Sequence, residues 1–183
     1  MRAEVRDATA ADAGPIAAIY NHFIVETTIT FELEPVDAAE LERRIEAIGA
    51  AGLPWLVAVE PASARAGESE RVLGYAYAAP WRARRAYQDS VEVSVYLDPA
   101  ETGRGLGTRL YATLFERLRA LGKHIAIAGV TLPNAASVRL HERFGMEKVA
   151  HFREVGFKFG RRLDVGYWQV TLSSARETTR ESA

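Results

Sequence analysis

The stretch VSVYLDPAETGRGLGTRLYATL, residues 93–114, holds the strongest structural signal in the chain. Alternating valines predict a strand that stops at Asp98-Pro99, and a leucine stripe from Leu106 onward predicts a helix. The glycines between them are Gly103, Gly105 and Gly107. A glycine-rich turn into a helix presents backbone N–H groups and the positive end of the helix dipole, so it predicts an anion site. The alternative is an ordinary glycine-rich turn without a ligand.

Two common nucleotide-binding motifs do not fit this turn. A Walker A loop requires G-x-x-x-x-G-K-[ST], which the chain lacks. A dinucleotide fingerprint requires G-x-G-x-x-G and an acidic residue about 20 positions later. Here the glycines are spaced G-x-G-x-G, and residues 117–141 contain neither Asp nor Glu. Two interpretations of the turn therefore remain: a cradle for the pyrophosphate of another cofactor, and an ordinary turn without a ligand.

Composition excludes several other classes of protein. The 183 residues are 48% hydrophobic, which is enough for one core in a single domain. With 23 Lys and Arg against 24 Asp and Glu, no basic excess favours nucleic acid. No apolar run approaches the roughly 20 residues of a membrane span, and the N-terminus lacks the apolar region of a signal peptide. The absence of cysteine excludes disulfides and thiolate metal sites. We therefore expect a soluble cytoplasmic protein.

The order of apolar patterns and turn signals predicts a mixed α/β sheet with helices on both faces, in the order βααβββαβαββ. One strand–helix–strand unit, built around residues 93–114, should be parallel. TTITFELEP, residues 27–35, is expected to be extended, and Asp37 to cap the helix that follows. We expect one domain over residues 1–172. The tail, residues 173–183, lacks apolar residues and is expected to be disordered.

The sequence resembles the GCN5-related N-acetyltransferase (GNAT) superfamily, whose acetyl-CoA loop reads [QR]-x-x-G-x-[GA] after a central strand. That frame here is Thr102 to Gly107, and Thr102 departs from the usual Gln or Arg, a loss for which Arg104 is a candidate replacement. Four further stretches resemble the phosphinothricin and methionine sulfone/sulfoximine acetyltransferase branch: PWRARRAY (80–87), VEVSVYL (91–97), LPNAASVRLHERFG (132–145) and DVGYWQ (164–169).

This resemblance, which covers roughly residues 3–172, implies a GNAT fold, acetyl-CoA as co-substrate, no metal, and a homodimer with the C-terminal strands near the interface. It also directs the choice of cofactor-binding residues. Those that we expect are Val95, Tyr96, Leu97, Gly103, Arg104, Gly105, Leu106, Gly107, Thr108, Asn134 and Ser137. The backbone N–H near Val95 is expected to face the thioester oxygen.

Glu92 is the candidate base, because acetyl transfer needs a neutral amine and an α-amine is mostly ammonium at neutral pH. It lies on the predicted strand, opposite the valines. From spacing alone, a solvated glutamate on a polar strand face is the better interpretation. The resemblance, which implies the family's catalytic glutamate at this position, reverses that preference.

His141 is the second candidate. It lies seven residues after Asn134 with Ser137 between them, so one helix face carries all three. The resemblance implies an acid for the leaving thiolate at position 141 and a contact with the CoA arm at 134. A histidine that serves only the fold is the alternative, and we assign that role to His22, His124 and His151.

Arg82, Arg84 and Tyr87 are the candidate acceptor-binding residues, since arginine forks bind carboxylate or phosphinate in a bidentate way. Arg82 and Arg84 would project to the same side if the strand continued through Pro80. The alternative is a solvated charge run. The resemblance implies an apolar wall of the acceptor site at Phe31, for which burial in the core is an equal alternative.

The predicted function is acetyl transfer from acetyl-CoA to the α-amine of a small glutamate- or methionine-like amino acid: phosphinothricin, methionine sulfoximine or methionine sulfone. Direct attack in a ternary complex needs no covalent acetyl-enzyme. The alternatives are an acetyltransferase with another acceptor, such as an amine metabolite or a protein N-terminus, and a non-catalytic acetyl-CoA-binding module. Neither nucleic acid nor a membrane is expected as a partner.

Overall fold

The computed structural model describes residues 3–62 and 70–172. The expected disorder of residues 173–183 lies outside the described residues. The elements are β1 (Glu4–Asp7), α1 (Ala13–Glu26), α2 (Ala38–Ala50), β2 (Trp55–Glu60), β3 (Arg71–Pro80), β4 (Ser90–Leu97), α3 (Leu106–Ala120), β5 (Ile125–Leu132), α4 (Ala135–Arg143), β6 (Glu147–Lys158) and β7 (Arg161–Thr171). Their order is βααβββαβαββ, as the sequence predicts.

The strands form one sheet in the order β1-β2-β3-β4-β5-β7-β6. Among the strands of the described residues, only the central pair, β4 and β5, is parallel, and α3 connects the two, which confirms the predicted crossover unit. This pair is short: it runs from Ser90 opposite Ile125 to Glu92 opposite Ile127. Beyond Glu92 the strands separate, while β4 continues along β3 and β5 along β7. The sheet therefore opens in a cleft at its centre.

Helices cover both faces of the sheet, as predicted. Alternation along β2 sends Leu56 and Ala58 to one side and Val57 and Val59 to the other. The first side packs against the leucine stripe of α3, whose Leu110, Leu114 and Leu118 are fully buried. The second side packs against α1 and α2 through Ile16, Ile24 and Leu41.

The expectation of an extended segment at residues 27–35 is wrong, since residues 27–37 form an irregular loop between α1 and α2. Local hydrogen bonds replace strand pairing there. The Thr27 hydroxyl donates to the Phe23 carbonyl oxygen over 2.8 Å and accepts from the Ile29 N–H. Asp37 caps α2 as predicted, with its carboxylate accepting from the Glu40 N–H at 2.7 Å.

The strand β3 ends at Pro80, so the premise that Arg82 and Arg84 project from a continuing strand is wrong. Proline has no N–H for the ladder. After one further bond, from the Trp81 N–H to the Ser90 carbonyl oxygen, the chain turns into a short 3-10 helix, Arg85–Tyr87. The alternation of a strand does not apply to residues 82–87.

Candidate active site

The cleft between β4 and β5 exposes backbone groups of β4. The Trp81 N–H bonds to the Ser90 carbonyl at 3.3 Å, and the Asp98 N–H bonds to the Leu73 carbonyl at 2.9 Å. In an antiparallel ladder such pairs recur at every second residue, so the even-numbered residues from 90 to 98 bond to β3. The N–H groups of Val95 and Leu97 therefore point toward β5, where pairing has already ended at Glu92.

The N-terminus of α3 supplies a second set of backbone donors. The Arg109 N–H makes the first bond of the helix, to the Gly105 carbonyl at 3.1 Å, so the N–H groups of residues 106–108 have no acceptor in the helix. Gly105, the N-cap, has φ 75° and offers no side chain to cap them. Gly103 also has a positive φ, 78°. The turn therefore has the form of an anion cradle built from backbone.

The other cradle residues have partners of their own. Arg104 pairs with Glu101, a carboxylate only 5% exposed that also binds Arg71, and these arginines lower the pKa of Glu101. The Arg104 guanidinium, the candidate replacement for the Gln or Arg that Thr102 displaces, is thus paired with Glu101 in this structure. A Cβ on Gly107 would lie 3.2 Å from a methyl group of Leu140, so this glycine permits close packing of α4.

Glu92 lies where β4 and β5 part. Its carboxylate stands close to β5, since a Cβ on Gly129 would lie 3.5 Å from Oε1. The side chain is half-buried, and this burial raises the pKa of Glu92, while the positive charge of Arg82 opposes the rise. A carboxyl group in this position holds a proton more tightly than a solvated glutamate does.

A cavity of about 240 Å³ is lined by Trp81, Arg82, Ile127, Val149, Ala150, Phe152, Tyr167 and Gln169. Glu92 lies near its Tyr167 wall, since a Cβ on Gly129 would lie 3.2 Å from Cε1 of Tyr167 and 3.5 Å from Oε1 of Glu92. Tyr167 is in edge-to-face contact with both Trp81 and Phe152, with ring centroids 5.6 Å apart in each pair. The Arg82 guanidinium lies 4.7 Å from the centre of the Trp81 ring. The cavity therefore combines aromatic walls with one cation.

The predicted acceptor-binding residues do not all meet in this cavity. Arg82 lines it, whereas Arg84 and Tyr87 are exposed at the turn beyond and are not among its walls. Phe31 lies in the loop of residues 27–37 and packs against Gly156 of β6. Tyr167 and Phe152 contribute walls that sequence reasoning did not assign to the site, although Tyr167 belongs to the motif DVGYWQ.

His141 is 3% exposed and is held at both ring nitrogens. Nδ1 lies 2.7 Å from the Ser137 carbonyl oxygen, so it carries the proton, and Nε2 lies 3.0 Å from the Tyr111 hydroxyl, from which it accepts. Burial lowers the pKa of His141, which favours the neutral ring. Sequence reasoning missed Tyr111. Its signal was a hydroxyl within the apolar stripe of α3, which requires a buried partner.

Asn134, Ser137 and His141 lie together at α4, as predicted from their spacing. Asn134 caps the helix by accepting from the Ser137 N–H at 3.1 Å, and both residues line the cleft beside His141 and Tyr111. Tyr96, which was predicted to bind the cofactor, has its backbone bonded to β3. The centroid of its ring lies 5.2 Å from that of Tyr20, on the α1 face of the sheet.

Comparison with known proteins agrees with this arrangement. The model of the acetyltransferase (GNAT) domain family matches residues 5–166. The chain belongs to the GNAT family of acetyltransferases. It is 43% identical over 175 residues to a phosphinothricin N-acetyltransferase from Streptomyces coelicolor, covering 92% of this chain and 96% of that protein.

Two further GNAT relatives extend the comparison. An L-methionine sulfoximine/L-methionine sulfone acetyltransferase from Pseudomonas paraeruginosa is 42% identical over 96% of this chain and 98% of its own length. The structure of a putative acetyltransferase from Salmonella typhimurium with its cofactor acetyl-CoA has a TM-score of 0.88 at 36% identity, covering 95% and 96% of the two chains. The chain is thus an N-acetyltransferase by family.

Two classes of feature were not found in the described parts of this GNAT chain. Over residues 3–62 and 70–172, no three His, Asp or Glu side chains are grouped so that they could hold a metal ion. Over the same ranges, no helix is long and apolar enough to cross a membrane.

Proposed function

We propose that this GNAT enzyme acetylates the α-amine of a small amino acid with acetyl-CoA, by direct attack within one ternary complex. The observation that carries the proposal is the position of Glu92. It lies where β4 and β5 separate, and a Cβ on Gly129, which lines the cleft, would meet both its carboxylate and the ring of Tyr167, which lines the cavity. The names of the relatives support phosphinothricin, methionine sulfoximine and methionine sulfone as acceptors.

Acetyl-CoA supplies an acetyl group already activated as a thioester. The N–H groups of residues 106–108 fit its pyrophosphate, because they converge at a helix N-terminus whose N-cap, Gly105, has no side chain. The Val95 N–H, which points into the cleft, is placed to stabilise negative charge on the thioester oxygen. Asn134 and Ser137 line the same cleft and complete the binding surface on α4.

Glu92 takes the proton from the acceptor's ammonium group, directly or through a water molecule. Its raised pKa brings it nearer to the pKa of an amine, which favours proton transfer at neutral pH. Arg82, which holds the pKa rise in check, keeps the carboxylate ionised under the same conditions.

His141 and Tyr111 return a proton to the leaving thiolate. The neutral imidazole has its own N–H bound to Ser137, so it does not point a donor at the cleft. The hydroxyl that donates to Nε2 belongs to Tyr111, which lines the cleft itself. We assign proton delivery to Tyr111: as the C–S bond breaks, its O–H turns from Nε2 to the sulfur, an S–H bond forms, and the phenolate left behind takes a proton back from solvent. Burial raises the pKa of Tyr111, which keeps the hydroxyl protonated until the thiolate forms, and His141 orients that hydroxyl.

The cavity favours acceptors with one carboxylate and an uncharged side chain, such as methionine sulfone. Arg82 is the only cation among its walls, and the remaining walls are mostly aromatic or aliphatic. A second acid group, as in phosphinothricin, would require the exposed Arg84 to turn inward.

The decisive experiment is a thiol-release assay with acetyl-CoA against amino acids and their analogues, other amines and a peptide N-terminus. Arg82→Ala should reduce kcat/KM for every amino-acid acceptor by about 10- to 150-fold, equivalent to about 1.5–3 kcal/mol for a lost charged hydrogen bond. Arg84→Ala should matter only for doubly acidic acceptors. Activity confined to the peptide or to simple amines would contradict the proposal, and binding of acetyl-CoA without turnover would indicate a non-catalytic module.

The chain is also proposed to act as a homodimer. The strand β6 is an edge of the sheet. Together with Phe159, which follows it, β6 exposes apolar side chains that we call the β6 strip: Val149, Phe152, Val155, Phe157 and Phe159, each 50–60% exposed. Exposed apolar rows on an edge strand favour association. Val149 and Phe152 also line the acceptor cavity, so a second copy on this strip would cover the cavity's open side.

A further inference from the structure

Lys158 is a buried amine that the mechanism above does not use. It is the last residue of β6 and is only 2% exposed. Its Nζ donates to the Thr30 carbonyl oxygen at 2.8 Å and lies 5.1 Å from the centre of the Phe159 ring. Burial lowers the pKa of Lys158, and Glu32 opposes that change. Burying an ammonium group is costly, so its presence here calls for a role.

Thr30 is the centre of the loop that joins α1 to α2, residues 27–37. On the helix side its hydroxyl pairs with the Tyr20 hydroxyl at 2.8 Å, and Tyr20 also donates to Glu32 at 3.1 Å. Arg44 of α2 then bonds to Glu32 at 2.6 Å. Side chains of α1 and α2 thus hold one side of the loop, and Lys158 holds the other side from β6.

The loop touches β6 at a second point. A Cβ on Gly156 would lie 2.2 Å from Cζ of Phe31, so the phenyl ring rests directly on the backbone of β6. Only glycine permits that approach. Phe31 and Lys158 therefore join the loop to β6 by two independent contacts, one apolar and one polar.

The joined loop reaches the active site. Ile29, one residue before Thr30, lines the cleft together with Tyr96 and His141. Ile29 and Phe31 flank Thr30 directly, so a displacement of the Thr30 carbonyl moves both side chains. A shift of about 1 Å in such a wall is enough to reduce turnover strongly.

We propose that Lys158 is a positioning residue: by holding the Thr30 carbonyl, it keeps Ile29 in place as part of the wall of the cleft between β4 and β5. The inference rests on the proposed function in taking this cleft as the place where the amine attacks the thioester. Lys158 acts on the cleft through the loop of residues 27–37, to which Phe31 gives a second contact with β6.

The first test is Lys158→Met, which keeps the length and apolar stem of the side chain and removes the donor. We expect kcat/KM for the amino-acid acceptor to fall about 10-fold or more, because the displaced wall misaligns the reacting groups. Amide hydrogen exchange in residues 27–37 should become faster. An unchanged kcat/KM in an active, folded variant would overturn the proposal.

A chemical rescue separates positioning from general stability. The chain has no cysteine, so Lys158→Cys introduces a single thiol. Alkylation in the unfolded state with 2-bromoethylamine, then refolding, creates a near copy of lysine, whereas 1-iodopropane adds the same length without the amine. The aminoethylated protein should regain most of the wild-type kcat/KM and the propylated protein should not. Equal kcat/KM values in the two would contradict the role of the amine.

Gly156→Ala tests the apolar contact without changing Lys158 or requiring refolding. It should also lower kcat/KM for the acceptor, because the new methyl group displaces Phe31 and with it the loop. Gly49→Ala, where a Cβ meets open space, is the matched control. If the wild-type enzyme acetylates no amino acid, the proposed function fails, and hydrogen exchange in residues 27–37 still decides whether Lys158 holds the loop.

Discussion

Glu92, the proposed base, lowers the stability of the folded protein when it is ionised. Its carboxylate is half-buried near Gly129, and burial raises its pKa, which means that the folded state disfavours the charged form. Between the unfolded and folded pKa values the folded state binds the proton more tightly. The wild-type protein therefore loses stability as the pH rises through that interval.

Glu92→Gln is accordingly predicted to be inactive but more stable. The kcat should fall by about 10²–10⁴, as expected for loss of a general base, and the acidic limb of the kcat/KM profile should vanish. At neutral pH the Tm should exceed that of the wild type, and the difference should close below about pH 4, where the unfolded carboxyl is also protonated. An unchanged pH profile of activity would show that Glu92 is only a strand residue.

Tyr111 and His141 form a pair whose members should differ in effect. Tyr111→Phe removes the hydroxyl that bonds to His141 and should lower kcat by about 10²-fold. His141→Gln keeps an amide group able to accept from that hydroxyl and should lower kcat less. Single-turnover rates of acetyl transfer measure both effects. A larger loss in His141→Gln than in Tyr111→Phe would return the donor role to His141.

Residues that share one helix were predictable, and residues that meet from different elements were not. The grouping of Asn134, Ser137 and His141 follows from helical periodicity alone. The hydrogen bond from Tyr111 joins α3 to α4 across 30 positions of sequence, and no local pattern encodes it. Arg82 lines the cavity although the predicted continuation of its strand was wrong. The strand ends at Pro80, and the turn that follows carries Arg82 to the cavity.

At the scale of elements, the active site is a place where sheet pairing stops. The strands β4 and β5 begin as a parallel pair, and each then follows a different neighbour. Strand and helix order could be read from apolar periodicity, as could the crossover through α3. The separation of β4 from β5 after Glu92 could not be predicted from the sequence, because it depends on the long-range pairing of β7 with β5.

Substitutions of Gly105 test the cradle at the N-terminus of α3. Gly105→Val forces a branched side chain into a left-handed conformation at a cost of roughly 1–2 kcal/mol, and should raise the KM for acetyl-CoA more than the KM for the acceptor. Gly105→Asn should restore much of the affinity, since asparagine tolerates that conformation. Titration of each variant with acetyl-CoA by calorimetry gives the affinity directly.

Gly52→Val is the matched control for Gly105→Val. Gly52 also has a positive φ, 70°, and a Cβ there also meets open space, but it follows α2 and lies outside the cradle. It should destabilise the protein to a similar degree without changing the affinity for acetyl-CoA. An equal loss of affinity in both variants would mean that strain, and not the geometry of the cradle, is responsible.

At the scale of the whole molecule, the order of strands leaves β6 with one unpaired edge. Composition and periodicity predicted a single α/β domain but not which strand lies at the edge, since β7 inserts between β5 and β6 against the order of the chain. The apolar residues of β6 cannot be distinguished from core residues by sequence. Only the sheet order shows that the β6 strip faces outward.

Phe157→Asp is predicted to convert a dimer into a monomer of 20.1 kDa, which sedimentation velocity would resolve. Phe157 is 60% exposed on the β6 strip, and a carboxylate there would have to be desolvated on association. Leu121→Asp, at a side chain 50% exposed at the end of α3, is the control and should remain dimeric. Because Val149 and Phe152 of the strip also line the acceptor cavity, the monomer should show a raised acceptor KM and an unchanged KM for acetyl-CoA. A wild-type protein that sediments as a monomer at micromolar concentration would remove the strip as an interface, and full activity in that monomer would show that the cavity is complete within one chain.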